Sequence, residues 1–472
     1  MKKAIMIALA FVGAVVGAGF ASGQEILQYY VSHGTLGLVA VGISAIALVL
    51  VGYTTFQLGS YELATEHSVV FDKIASPWLS RAMDFFIVFS LFCVGFVMIA
   101  GAGSNLNQQF GLPVWVGSLA MALLVAAVGL LDVSKVTAVI GGITPFIIVT
   151  IIAAAIYSVM NPVAPMPELL ASAATVDPAI GNWLLSAVNY VALVFAMGSS
   201  IMIVMGGDVI DPKSAGRGGV LGGIAFGVLM MIAAAALLFQ LTLVKDAPMP
   251  MLALVESINP VFGTVMAIII FGMIFNTAIG MYYAIAKRAS VHHPKRFKPV
   301  LFGTVALGFA LSFVGFEPLV NKLYPILGYV GIVMIVLVWR GWLKQRKTIV
   351  EEAERRHRIR ALFKRRWTKG KRYTKAQHEE LVAAVEESNL DNKELLSTMR
   401  EETVDAIVAD PDAELEPALV KKYGWSEESG FDREPPEDVQ ALAHPAQYDA
   451  TSHPDDSGAG ASPSSSKGTK TS

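Results

Sequence analysis

The sequence predicts an all-α, polytopic membrane protein, and three observations carry that prediction. The 472 residues are 54% hydrophobic and only 16% charged, with a mean hydropathy of +0.56. Up to about Trp342 the chain alternates long apolar runs with short polar breaks, whereas the residues after it are polar and charged. No run shows the apolar/polar alternation of a membrane β-barrel, so the spans are helical. The net charge of −2 averages over these two unlike parts and describes neither. The single cysteine, Cys93, lies in an apolar run and is assigned to packing.

Hydropathy and length place ten spans, at about 4–30, 35–63, 80–105, 113–131, 137–160, 182–207, 216–243, 259–287, 297–315 and 318–342. Asn259-Pro260 marks the start of the eighth as a cap followed by proline at the first helical position. Met1-Lys2-Lys3 and the apolar run after it are read as the first span. Taking them as a cleaved signal peptide leaves an odd helix count and a basic tail outside. With a cytoplasmic N-terminus, twelve Lys and Arg fall on inner segments, among them Lys73, Arg81, Lys135, Lys213 and Arg288. Only Lys245 and Lys322 fall outside. The expectation is a multi-pass protein of the plasma membrane with both termini cytoplasmic.

The most informative segment lies in the first span: Val16-Gly17-Ala18-Gly19-Phe20-Ala21-Ser22-Gly23-Gln24-Glu25. Glycines weaken a helix, and polar groups at membrane depth are tolerated only where they line a cavity or are buried in protein. The segment reads as a broken helix. Five spans per half means that the second half enters from the opposite side, an inverted 5+5 repeat. The sixth span, first of its half, carries a matching interruption at Phe195-Ala196-Met197-Gly198-Ser199-Ser200. Paired breaks point to a substrate site built from Gly17, Ala18, Gly19, Ser22, Glu25, Phe195, Gly198, Ser199 and Ser200. The competing reading is that the small residues only let helices pack closely. At such a break the amides of Ala18 and Gly19 face an anionic group, while the carbonyls of Gly13 and Val16 are free for a cation.

Gly-Ala-Gly-Phe-Ala-Ser-Gly-Gln-Glu resembles the YkvI-like membrane proteins of the amino acid–polyamine–organocation superfamily. More distantly, Val16-Gly17-Ala18-Gly19 resembles the unwound first helix of LeuT-type transporters. The resemblance covers about residues 1–342 and implies a transporter of LeuT-type fold. Carried over, it implies a cation site of the Gly13 and Val16 carbonyls with Asn276 and Thr277 of the eighth span. LeuT-type sites have two hydroxyl residues at the last two positions. Asn276 departs from that pattern, although its amide oxygen is able to ligate a hard cation. The other reading of Asn276 and Thr277 is a bond between helices.

Glu25 is the one acid well inside a span; it shares a stripe with Ala18 and Ser22 and is expected roughly 9 Å outward of the break. A substrate amine, a coupling proton, an outer gate and a plain interfacial carboxylate are the open readings. Asn105, Asn107, Gln108 and Gln109 are expected to face water, and Asp84 to be an interfacial charge near Arg81. Asn189 and Tyr190 sit on a helix that lines the site, and Tyr282 and Tyr283 are weaker candidates. Pro145 and Pro325 are expected to kink their helices.

The spans (1–342) are followed by a polybasic segment (343–375), short acidic amphipathic helices (376–425) and a Pro/Ser/Gly/acid-rich end expected to be disordered (426–472). Between Arg340 and Lys375 stand fifteen Lys or Arg against three Glu, a composition suited to anionic lipid headgroups, with Phe363 and Trp367 at the interface. Nucleic acid is a poorer partner, because the segment is tethered to a membrane. The tail either regulates or recruits a cytoplasmic protein, or is a dispensable extension. No phosphate-binding loop, nucleophile with its base, or metal-ligand cluster is legible, and His292-His293 is assigned to the basic surface. These features favour a non-enzyme without a cofactor. They fit a secondary transporter of a small zwitterionic or amine solute, with Na+ or H+ as coupling ion. A ligand sensor signalling through the tail and a channel are the alternatives.

Overall fold

The computed structural model describes residues 2–131, 144–291, 293–410, 413–415, 425–426 and 430–431. Lys135, the first residues of the expected fifth span, His292 and almost all of 426–472 lie outside the described residues. The helices are α1 (Lys2–Val15), α2 (Ala18–Ser22), α3 (Gln24–Tyr29), α4 (Thr35–Glu62), α5 (His67–Ile74), α6 (Pro77–Phe110), α7 (Val114–Val128), α8 (Thr144–Met160) and α9 (Met166–Ala173). They continue with α10 (Trp183–Gly207), α11 (Pro212–Phe239), α12 (Leu241–Val244), α13 (Pro250–Ile258), α14 (Pro260–Ala289), α15 (Phe297–Ser312), α16 (Phe316–Trp367), α17 (Lys375–Glu386) and α18 (Asn392–Val408). A two-residue ladder pairs Trp425–Ser426 with Gly430–Phe431. Among the described residues, six helices (α4, α6, α10, α11, α14 and α16) are long and apolar enough to cross a membrane. Three shorter apolar helices, Lys3–Val15, Val114–Val128 and Thr144–Met160, accompany them.

Local chemistry sets the helix starts. Asn182 accepts from the amides of Leu184 and Leu185, and Asp211 from those of Lys213 and Ser214 with Pro212 in the first turn. Asn259 caps α14 in the same way, with Pro260 behind it, as the sequence indicates.

Met1–Ala353 forms one compact unit. Within it the helices sort into two groups. In one, α4 packs most extensively on α11 and α10, and α1 on α11; in the other, α6 packs on α14, α7 and α15. Spans one, two, six and seven thus stand together, as do three, four, eight and nine, which is the pairing an inverted repeat of five produces. Glycine makes the first group possible. A methyl on Gly52 of α4 would lie 2.8 Å from the Gly219 carbonyl oxygen of α11, so the two backbones touch directly.

Glu354–Ser472 forms the second unit. The expected boundary at Trp342 lies inside α16, which runs on to Trp367. Phe363 and Trp367, expected at a lipid interface, are instead buried, together with Ile359, Leu381, Leu395 and Met399. Bases of the polybasic segment pair with acids of α17 and beyond: Arg355 with Glu387, Arg358 with Glu380, Arg360 with Glu402 and Lys364 with Asp410. The basic and acidic stretches, read separately from sequence, neutralise one another in a single folded unit. A capping box between Thr374 and Gln377 opens α17.

Candidate functional site

The first span is broken where its glycines stand. α1 ends at Val15, and Gly17 is extended (φ −93°, ψ −177°) before α2 begins. The Gly17 amide, which would serve the Gly13 carbonyl in a continuous helix, bonds to the Val15 carbonyl at 2.8 Å. A second break follows at Gly23, whose φ of +81° suits glycine alone at little strain. There the Met251 backbone nitrogen of α13 would lie 3.0 Å from an added methyl. Ser22 holds this turn: its hydroxyl donates to the Gly19 carbonyl at 2.7 Å and accepts from the Gln24 amide at 3.2 Å. Expected on the substrate, Ser22 is occupied by its own loop.

The turn at Gly23 redirects Glu25. Instead of pointing outward from the break, its side chain folds back onto Gly19: a methyl on Gly19 would fall 1.7 Å from Glu25 Oε1. Tyr190 of α10 donates to Glu25 Oε2 at 3.0 Å. Tyr29 and Tyr30 lie edge-on to Tyr190 at centroid distances of 5.3 Å and 5.2 Å. Tyr30 donates to Ser44 at 2.8 Å, and Tyr29 to Asn189 Oδ1 at 3.3 Å. Asn189 donates in turn to the Pro325 carbonyl at 2.9 Å, joining α10 to α16 near the proline expected to bend it. Glu25, Tyr29, Tyr30, Tyr190 and Asn189 are all buried. Among the described residues no Lys, Arg or His pairs with Glu25.

The sixth span contradicts its expected break. α10 is one uninterrupted helix from Trp183 to Gly207, because the glycine and serines at 198–200 keep helical geometry inside packed neighbours. Phe195, Gly198 and Ser199 are buried within it, and the Ser199 hydroxyl has no hydrogen-bond partner among the described residues. A methyl on Gly198 would meet only Met202, at 3.8 Å. Ser200 is engaged elsewhere: its hydroxyl lies 2.9 Å from His67 Nδ1.

Of the expected cation ligands, Thr277 is brought to the break, with its hydroxyl 3.9 Å from a methyl built on Gly17. Asn276 Oδ1 is buried without a hydrogen-bond partner among the described residues. Val16 is buried next to the break, whereas Gly13 is exposed with open space beside it. Among the described residues no group of three or more His, Cys, Asp or Glu is placed to hold a metal ion.

Sequence reasoning missed the polar node at the end of the bundle where α5 lies. His67 Nε2 lies 3.1 Å from Asp84 Oδ1, and Arg288 of α14 pairs with the same oxygen. Asp84 therefore serves Arg288 and His67, not Arg81. A lone histidine outside the spans gave no signal of this, since its partners are 17, 133 and 221 residues away. Asn105 is fully buried with both amide atoms unpartnered, and Gln108 bonds both the amide and carbonyl of Met249, so these do not simply face water.

No family model matches the chain. It is similar to membrane protein YkvI of Bacillus subtilis (strain 168), at 25% identity over 336 residues, 71% of this chain and 94% of that one. Protein YyaD of the same strain is 26% identical over 331 residues, 70% of this chain and 94% of its own length. Among solved structures, MhsT in complex with L-phenylalanine superposes with a TM-score of 0.51 at 15% identity, covering 85% of this chain and 96% of its own. The inward-facing conformation of Mhp1 gives 0.50 at 11%, covering 73% and 77%. The chain is thus similar to these two membrane proteins, and its fold is of the LeuT type.

Proposed function

We propose that this YkvI-like membrane protein is a secondary active transporter of the amino acid–polyamine–organocation superfamily. Its solute is small and zwitterionic or amine-bearing, amino-acid-like, and moves by alternating access with Na+ or H+. The observation that carries the reading is Glu25: a buried carboxyl over the broken first span, bonded to a phenol and, among the described residues, paired with no basic side chain. A carboxyl in that setting requires a proton, a bound cation or a substrate amine as its counterpart. Beside it the first span is interrupted, with one helix ending at Val15 and the next beginning at Ala18, so helix ends lie near the carboxyl. The orphaned Asn276 oxygen and the nearby Thr277 hydroxyl support a cation at the α14 side of the break.

The protein sits in the plasma membrane with both termini cytoplasmic, on the twelve-to-two distribution of basic residues. Lipid contact falls to Arg340, Lys344, Arg346 and Lys347, which are exposed; further along, Arg355, Arg358, Arg360, Lys364 and Lys369 are paired with acids. The tail serves a cytoplasmic protein partner. A ligand sensor is the second reading, favoured by the C-terminal residues forming a compact unit of their own.

Counterflow of amino acids and amines in proteoliposomes tests the proposal. Saturable, gradient-dependent flux supports it, current without saturation means a channel, and binding without flux means the sensor. Glu25→Gln is expected to lower uptake on the order of tenfold or more and to flatten its pH profile if Glu25 carries the proton. Unchanged uptake at every pH removes Glu25 from the mechanism.

A further inference from the structure

We propose that His67 is a proton-sensitive bolt tying the end of α10 to the α6–α14 pair, and that protonating it releases α10 there; its purpose, regulating access to the central site, rests on the transport reading. One buried imidazole joins three helices from its seat on α5. Nδ1 meets the Ser200 hydroxyl of α10 at 2.9 Å, and Nε2 meets Asp84 Oδ1 of α6 at 3.1 Å. Arg288 Nη1 of α14 stands 3.4 Å from Nε2, and Arg288 also pairs with Asp84. These contacts link the two packed groups of the fold at one end: α10 belongs to the first group, α6 and α14 to the second.

The chemistry sets the direction. Asp84 accepts, so the neutral ring carries its proton on Nε2 and accepts at Nδ1 a hydrogen bond from the Ser200 hydroxyl. A second proton turns Nδ1 into a donor. Ser200 must then reverse its hydroxyl, and a positive ring faces the Arg288 guanidinium at close range. Burial holds the imidazole below its ordinary range, and Arg288 acts in the same sense. Asp84 and Glu66, at the start of α5, oppose them. α10 contributes Ser200, which does not titrate there, and Glu62 at the end of α4 is paired with Lys73. A lowered folded-state value means that the tie is complete above the ordinary imidazole range, weakens as pH falls below that range and is lost as pH falls through the lowered folded-state value. Protons have a route, because Asp84 and Arg288 wall a cavity of about 430 Å³ shared with Ser68, Asp72 and Arg81.

The test uses the full chain in lipid nanodiscs, with Cys93→Ser and a reporter Ser199→Cys, a buried position next to Ser200. The rate of alkylation by a water-soluble maleimide is divided by that of Thr348→Cys, an exposed site, to cancel the thiol's own pH dependence. The normalised rate is expected to rise on the order of tenfold from about pH 8 to about pH 5.5, and to stay flat in His67→Gln. The same rise in His67→Gln, or no rise with His67 present, overturns the proposal. If His67→Gln does not fold, Ser200→Ala decides. It should bring the rate at pH 8 up to the acid value, and an unchanged rate there overturns the bolt. The assay needs neither solute nor gradient. Absent counterflow with pH-gated labelling therefore sinks the transport reading alone, and normal counterflow with ungated labelling sinks the bolt alone.

Discussion

Glu25 and Gly19 form the tightest residue-level dependence in the site. No side chain fits at Gly19 while Glu25 lies over it, since the first added carbon would fall 1.7 Å from Oε1. Gly19→Ala is therefore expected to displace the carboxyl, break its bond from Tyr190 and destabilise the protein by about 1–3 kcal/mol. Thermal unfolding in detergent measures this. Combined with Glu25→Ala, the loss should be much smaller than the sum of the two single losses, because the clash has gone. Additive losses would mean that the two residues do not meet. On α14, Asn276→Ala removes an oxygen that no donor among the described residues uses. A sodium-dependent flux should lose its sodium activation, whereas lower flux with the same sodium dependence takes Asn276 out of the ion role. Glu25 was legible in sequence as a lone membrane carboxylate. Its phenol partner was not, because Tyr190 is 165 residues away. His67 and Ser200 were hidden for the same reason: contacts across helices have no sequence spacing.

The two broken-helix expectations separate at the level of the element. In the first span, Gly17 and Gly23 act through backbone geometry: one is extended, the other left-handed. Gly23→Ala should strain that φ by about 1–3 kcal/mol and crowd the Met251 nitrogen as well. The expected result is a lower melting temperature together with altered protection of α3 in hydrogen exchange. An unchanged melting temperature would show that the Gly23 conformation does not matter. In the sixth span, Gly198-Ser199-Ser200 has the same small, breakable look, yet α10 continues through it. Glycine permits a break without compelling one. The difference lies in the neighbours: Ser22 and Gly23 close a hydrogen-bonded turn of their own, whereas the backbone at 198–200 keeps its helical bonds. Capping signals were more dependable, as Asn259-Pro260 illustrates, since they act within one turn.

On the scale of the whole molecule, the division at Ala353–Glu354 gives a prediction about truncation. Deleting residues 376–472 removes α17 and α18 and leaves Ile359, Leu362, Phe363 and Trp367, all buried in the intact unit, without cover. That chain should aggregate or bind detergent excessively in size-exclusion chromatography. A chain ending at Ala353 should run as a single symmetric species. Equal behaviour of the two would mean that the tail helices do not cover those side chains. The packing of α1, α4, α10 and α11 in one group, with α6, α7, α14 and α15 in the other, gives each group helices from both halves of the chain. The His67 node spans the two groups at one end, and the Glu25 cluster lies between α3 and α10 within the first.

Membrane class, helical architecture, the bend at Gly17 and the prominence of Glu25 follow from composition and near-neighbour chemistry, because hydropathy, backbone strain and desolvation act locally. Which phenol meets Glu25, whether α10 bends, what Asp84 pairs with and where the basic tail lays its charge depend on residues far apart along the chain. Packing alone brings those groups within bonding distance.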